Sequence, residues 1–428
     1  MFGPMAVGGL QKTTSYKVVL PFYVYASVSL VVAAVMLFLN TDIFAQHHFS
    51  PHTLAVTHIM ALGWGTMIIF GASHQLLPVI IEGELESNLL AYLTFIFTGI
   101  GIPMVIYGFY TFNLGWILQA GAVLVNLGVI CYLVNVFTGI FESKKVNVHA
   151  MFVGAAAFWL FSTTFFGLLL AFNFTLHLLP SDSVSYLTIH AHMGIVGWFL
   201  LLVLGVGSRL IPMFLISKYT NNKKLWQILI LINAGLISFI VFWAMGLPQF
   251  TYYISLALVL VPIAMFVQYC KMAHKVRLRK AVDEQMKISL LSVVQMLLPI
   301  IVLVVVLLLL PQQNSENISL LYGFTIFFGW LTAIILGMTF KTMPFIVWNK
   351  VYHKKAHGGK TPVPKELFKE NIFNQMSVAY IAGFLITILG IVIQNDLTLK
   401  IGTFLLLLAA VLYVINTTII LFHKAKIQ

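Results

Sequence analysis

Three histidines of this chain stand inside long apolar runs: His58, His190 and His192. A neutral imidazole offers one lone pair, which suits iron, copper or zinc, and one N–H that a carbonyl can fix in place. A polar ring is costly in hydrocarbon and is kept there with a partner or a function. The chemistry open to these residues is therefore metal or haem-iron ligation, and the plain alternative is a hydrogen-bonded ring near a helix end. His190 and His192 are two residues apart, so on a regular helix their rings point about 200° from each other. They cannot comfortably share one metal and would serve sites on opposite sides of their helix.

The element that must position them is repeated. Around His192 runs IHAHMGIVGWFLLLVLGVGSRLIP (189–212), and with His192 as position zero, Gly197-Trp198 fall at +5 and +6, Gly205 at +13, Arg209 at +17 and Pro212 at +20. Counting from His58, Gly63-Trp64, Gly71, Gln75 and Pro78 take the same offsets. Counting from Phe324, so do Gly329-Trp330, Gly337, Lys341 and Pro344. At about 100° per residue, positions +6, +13, +17 and +20 form a single stripe, and position zero lies on roughly the other side. Small residues on that stripe let a neighbouring backbone come close, as in membrane helices. Only the third copy replaces the histidine, with Phe324.

The chain has 428 residues, 60% hydrophobic and 8% charged, with a mean hydropathy of +0.99. That composition belongs to polytopic membrane proteins. Twelve apolar runs are long enough to cross a bilayer, so the spacing predicts an all-α protein with twelve transmembrane helices near 17–40, 53–81, 88–110, 114–140, 149–172, 185–216, 224–246, 250–271, 288–310, 320–348, 373–394 and 400–423. The repeated helix falls on the second, sixth and tenth, which makes the architecture a pseudo-threefold 4+4+4 array. The whole of 1–428 then reads as one membrane domain, with repeat units at 17–140, 149–272 and 288–423. The first residues, MFGPMAVGGLQKTTSYK, read as the lead into a retained span and not as a removed signal.

Charge placement sets an expected orientation. Lys12, Lys17, Lys144, Lys145, Lys218, Lys223, Lys224, the run KMAHKVRLRK (271–280), Lys287, the six lysines of 350–369, Lys424 and Lys426 fall on one side. Asp42, Asp182, Glu316, Asp396 and the lone cation Lys400 fall on the other. Cations mark cytoplasmic loops, so both termini are expected in the cytoplasm of a bacterial inner membrane. The net charge of +12 is then topology with some anionic-lipid contact, and implies no nucleic acid. The basic segment at 349–371 reads as a turn-rich connector because of Gly358-Gly359, Pro362 and Pro364. Cys131 and Cys270 are too few for a disulfide framework or a cysteine-based metal site.

The remaining polar residues have bland readings. His47, His48, His52 and His177 sit in or beside loops on the acidic side, where together they could hold copper or zinc but read more simply as solvated. His74 reads as an interfacial polar cap beside Gln75. Arg209 and Lys341 read as anchors that snorkel to the basic interface. Glu82, Glu84 and Glu86 could begin a proton path but read as a solvated acidic loop, and His149, His274, His353, His357 and His423 belong to basic edges.

Two of the repeat helices carry a resemblance. TIHAHMGIVGW (188–198), followed by Gly205 and LIP (210–212), is similar to the His-x-His helix of the cbb-type haem–copper oxidases. THIMALGWGTMIIFGASHQLLP (57–78) is similar to the second helix of that superfamily's catalytic subunit, with His58 at the position of a low-spin haem ligand. The resemblance implies twelve spans in a threefold array, b-type haem held by His58 and His192 with His190 serving a second site or a hydrogen bond, and a cytochrome or other electron-transfer subunit as partner. The departures are as informative. The His-x-His pair is on the sixth span instead of the tenth, the tenth carries Phe324, and the seventh (223–246) has no histidine pair for copper. The resemblance is therefore to a divergent branch akin to the NnrS proteins, and copper lacks a complete ligand set.

Two functions of different class follow as expectations. One is a haem-dependent oxidoreductase in respiratory electron transfer or O2/NO chemistry. The other is a non-catalytic haem or copper protein in NO response, metal handling or oxidase assembly. A secondary transporter is a third class, but transporter repeats of this size usually pair as six plus six, and this repeat has a four-span period.

Overall fold

The computed structural model describes residues 14–81, 87–143, 147–278, 280–309, 315–352 and 361–425. Glu82, Glu84, Glu86, Lys144, Lys145, His353, His357 and Gly358-Gly359 lie outside them. Among the described residues there are twelve helices of membrane-spanning length and hydropathy: α1 (Tyr16–Leu39), α2 (Pro51–Pro78), α3 (Asn88–Tyr110), α4 (Trp116–Glu142), α5 (Val148–Leu176), α6 (Ser183–Leu215), α7 (Asn222–Ala244), α8 (Gln249–Lys275), α9 (Glu284–Val304), α10 (Ile318–Tyr352), α11 (Glu370–Ile393) and α12 (Asp396–Leu421). The protein is an all-α polytopic membrane protein. Its helices begin where short polar side chains can satisfy the first free N–H groups. Ser50, Ser87, Asn147, Asn221, Asp283 and Asn395 each accept a hydrogen bond from the backbone N–H three residues on.

The three repeat helices form the centre. In their most apolar eighteen-residue stretches α2, α6 and α10 are 78, 72 and 67% buried inside the protein, whereas the same stretch of every other span is 50% buried or less. Their +13 glycines have one job. A Cβ at Gly71 would lie 2.9 Å from Phe22 of α1, one at Gly205 would meet Phe152 of α5, and one at Gly337 would come 2.7 Å from the Gln285 carbonyl of α9. Each central helix thus takes the first helix of its own repeat against its backbone, as the small-residue stripe predicts. The third and fourth helices of each unit pair as α3–α4, α7–α8 and α11–α12, and α12 packs on α1 to close the ring.

The centre also departs from the regular helix assumed for the sequence. Directly after each zero position the backbone becomes π-helical, over Ile59–Thr66, Met193–Leu200 and Thr325–Leu331. A π-turn closes on i→i+5 bonds and advances less per residue than an α-turn, so a wheel drawn at about 100° per residue does not carry unchanged across these segments.

The π segments meet through their tryptophans. Trp198 Nε1 donates to Thr66 Oγ1 at 3.0 Å, and Trp64 Nε1 donates to Thr332 Oγ1 at 3.2 Å. Each bond runs from position +6 of one repeat to +8 of another, from second to first and from first to third. The cycle should close from Trp330 onto the second repeat, but +8 there is Leu200, and Trp330 Nε1 is buried without a hydrogen-bond partner. The broken ring is direct structural evidence for a pseudo-threefold centre.

Candidate functional site

His58 ends the α-helical part of α2 before the π segment, and its Nδ1 lies 2.8 Å from the Leu54 carbonyl. A carbonyl only accepts, so Nδ1 carries the proton and Nε2 is left with a free lone pair. His192 is clamped in the same way, with Nδ1 2.7 Å from the Thr188 carbonyl. His74 makes the same bond to the carbonyl four residues back, so the bond sets the tautomer of each ring and leaves Nε2 as the outward nitrogen.

The structure brings His58 together with His190. Their ring centroids are 6.4 Å apart and their planes are 22° from parallel. His192 is not the partner of His58. It faces α10 and α7, with Tyr322 at 6.0 Å and Phe239 at 5.1 Å between ring centroids. The expectation of one group shared by His58 and His192 is thus replaced by a His58–His190 pair. The expected divergence of His190 from His192 holds, because Leu187–His192 is regular α-helix.

His190 is held against α5. A Cβ on Gly167 would come within 2.8 Å of His190 Cε1, so only glycine leaves room for the ring there. Nδ1 of His190 is buried without a hydrogen-bond partner, although the Thr163 backbone lies close by. On the other side of the pair, Phe109 of α3 stacks on His58 at 4.5 Å. The gap between α2 and α6 therefore holds two facing imidazoles, one with a set tautomer and one with an unsatisfied nitrogen, lined by aromatic and small residues.

Repeat arithmetic explains the pairing. His58 is position zero of the first copy and His190 is position −2 of the second. At the next junction, position zero is His192 and position −2 of the third copy is Tyr322. At the last junction the two positions are Phe324 and Val56. Tyr322, Phe109 and Gly167 were not singled out from the sequence. The signal for Tyr322 was available, since extending the repeat alignment two residues upstream puts it opposite His190.

Several other polar residues sit differently from their sequence readings. His74 is no interfacial cap. It is 1% exposed, its Nδ1 donates to the Phe70 carbonyl at 2.7 Å, and its ring stacks on Phe22 at 5.5 Å. Lys341 forms a largely buried ion pair with Asp283, with its ammonium 5.6 Å from the Phe214 ring. Arg209 at the equivalent position is exposed, as an anchor should be. His149 is tied into the core by Ser208 Oγ, 2.9 Å from its Nδ1. His47, His48 and His177 are exposed, and His52 lies 5.0 Å from the Tyr110 ring. Among the described residues no three His, Cys, Asp or Glu side chains gather as a metal cluster. Cys131 and Cys270 are free thiols.

No protein-family model matches the chain, and no curated protein matches it. The functional reading therefore rests on the site itself.

Proposed function

We propose that the protein is a haem-binding membrane protein whose b-type haem is held by His58 and His190 between α2 and α6. The observation that carries this reading is the spacing of the two rings. Two imidazole nitrogens, each about 2 Å from one iron, put their ring centroids roughly 6 Å apart, and the pair stands at 6.4 Å. Two imidazoles are too few for a bare zinc ion, which takes about four ligands, but they are the whole protein share for an iron that brings four nitrogens of its own. The glycine at 167 fits the same reading, since it leaves room for the His190 ring.

Bound there, haem with two imidazole ligands supplies one-electron transfer at a six-coordinate iron. The chain's own residues do the positioning. Leu54 fixes the His58 tautomer, Gly167 admits the His190 ring, and Phe109 covers the His58 face. The resemblance to the haem–copper oxidase catalytic subunit, in a divergent NnrS-like branch, supports an electron-transfer role in respiration or in O2/NO chemistry. The lack of a histidine pair on α7, together with Phe324 on α10, favours the non-catalytic member of that pair of readings over an oxygen-reducing enzyme. The basic loops favour a bacterial inner membrane with both termini in the cytoplasm.

The test is an absorption spectrum of the purified chain, oxidised and dithionite-reduced, with iron and copper assayed on the same sample. Sharp reduced bands of six-coordinate b-type haem are expected. A colourless protein after expression with ample haem supply rejects the reading.

A further inference from the structure

The outer side of α1 carries a trough that follows the helix from end to end. Tyr16 and Lys17 line one end, Leu39 and Asn40 the other, and α3 forms the far wall. The α1 wall is made of short side chains. Val24, Val28 and Val32 recur every four residues on one stripe and are 43, 55 and 41% exposed. The trough encloses about 1070 Å³. The 24 residues of α1 span about 36 Å, so the mean cross-section is about 30 Å². A helix about 10 Å wide needs about 80 Å² and does not fit. Hydrocarbon chains packed at about 4.5 Å take about 20 Å² each, which makes the trough as wide as an acyl chain.

The two ends differ in charge. Lys17 lines the first, and Lys350 of α10 holds its ammonium 4.9 Å from the Tyr16 ring beside it. Both lysines are exposed, and neither pairs with a carboxylate among the described residues. Beyond the other end stand Asp42 and Asp396, and the cation there, Lys400, donates to the Phe38 carbonyl. We propose that the α1–α3 trough is a binding site for an anionic phospholipid, with the phosphate at Lys17 and Lys350 and an acyl chain laid along Val24 and Val28. Surrounding lipid is as apolar as the trough, so burying the chain gains little by itself. The two ammonium groups therefore select the headgroup, and the width of the trough fixes the chain. Tyr25 already ties α1 to α3 through the Gly99 carbonyl at 3.2 Å, and the lipid adds a second tie along the same seam.

The test titrates the delipidated full-length chain in detergent with dioleoylphosphatidylglycerol or dioleoylphosphatidylcholine and counts bound lipids by native mass spectrometry. One phosphatidylglycerol per chain should bind more tightly than any further copy and more tightly than phosphatidylcholine. Lys17→Gln and Lys350→Gln should each weaken that first binding about fivefold and leave phosphatidylcholine unaffected. Val28→Trp fills the trough but keeps both lysines, and should weaken binding of both lipids. All three side chains are exposed, so the lipid-free variants should melt as the unaltered protein does. Equal affinity for the two lipids overturns the proposal. So does phosphatidylglycerol binding that survives unchanged either the double lysine substitution or Val28→Trp. A dimer in detergent that Val28→Trp dissociates also overturns it, because the trough then holds a second copy of the chain.

Discussion

The α2–α6 and α10–α2 junctions are made from the same two repeat positions, yet one presents His58 and His190 and the other Phe324 and Val56. Their surroundings differ accordingly. His58 and His190 are only partly buried. Phe324 is 4% exposed and sits among Phe328 at 5.2 Å, Phe384 at 5.6 Å and Phe44 at 5.8 Å, a closed aromatic cluster. Phe324 thus packs into an apolar aromatic cluster, while the histidines at the equivalent positions are only partly buried.

The largest effect expected from breaking this contrast is spectroscopic. His58→Ala and His190→Ala should each abolish the six-coordinate low-spin signal of the haem-loaded protein, because each removes one axial ligand. His192→Ala should leave that signal in place. If His192→Ala destroys it and His190→Ala does not, the pairing seen here is not the one that binds haem.

At the α10–α2 junction the effect should be on stability. Phe324→Ala opens a cavity in a tight aromatic cluster and should cost about 3–5 kcal/mol, read as a lowered denaturation midpoint in detergent. His58→Ala, made at the α2–α6 junction, should cost much less in the haem-free protein. Equal costs would show that the first junction is packed as firmly as the third.

A smaller change sharpens the role of the α5 face. Gly167→Ala places a Cβ 2.8 Å from His190 Cε1, closer than carbon atoms tolerate, so the ring must move. The expected cost is about 1–3 kcal/mol, together with a partial shift of the haem from low to high spin. A spectrum identical to that of the unaltered protein would mean that His190 has room to spare.

The smallest effect concerns the pseudo-threefold centre common to all junctions. Leu200→Thr supplies the missing acceptor for Trp330 Nε1 and should raise stability by about 1 kcal/mol, measured by thermal unfolding. The same substitution combined with Trp330→Phe should lose the gain. If Leu200→Thr stabilises equally in both backgrounds, the hydroxyl is not completing the ring.

Much of this was legible in the residues. The twelve spans follow from hydrophobic length, since a helix crossing hydrocarbon needs a run of apolar residues and shows little else so clearly. The +13 glycines were readable as contact points because a missing Cβ has one use in a tightly packed helix. His74 and Lys341 were less legible. Both sit near helix ends, where sequence favours an interfacial position, and only neighbours from other helices reveal the Phe22–Tyr132 surroundings of one and the Asp283 partner of the other.

The sequence by itself determined the fold class, the threefold repeat, the equivalence of His58, His192 and Phe324, and the divergence of His190 from His192. All of these follow from local periodicity along one helix or from counting along the chain. Only the tertiary structure decided which imidazole meets His58. The order and facing of the repeats around the centre bring position zero of one copy against position −2 of the next, and no single-helix projection contains that information. The π segments were equally hidden, because a helical wheel assumes one angle per residue throughout, and the tryptophan–threonine bonds that accompany them join residues more than a hundred positions apart.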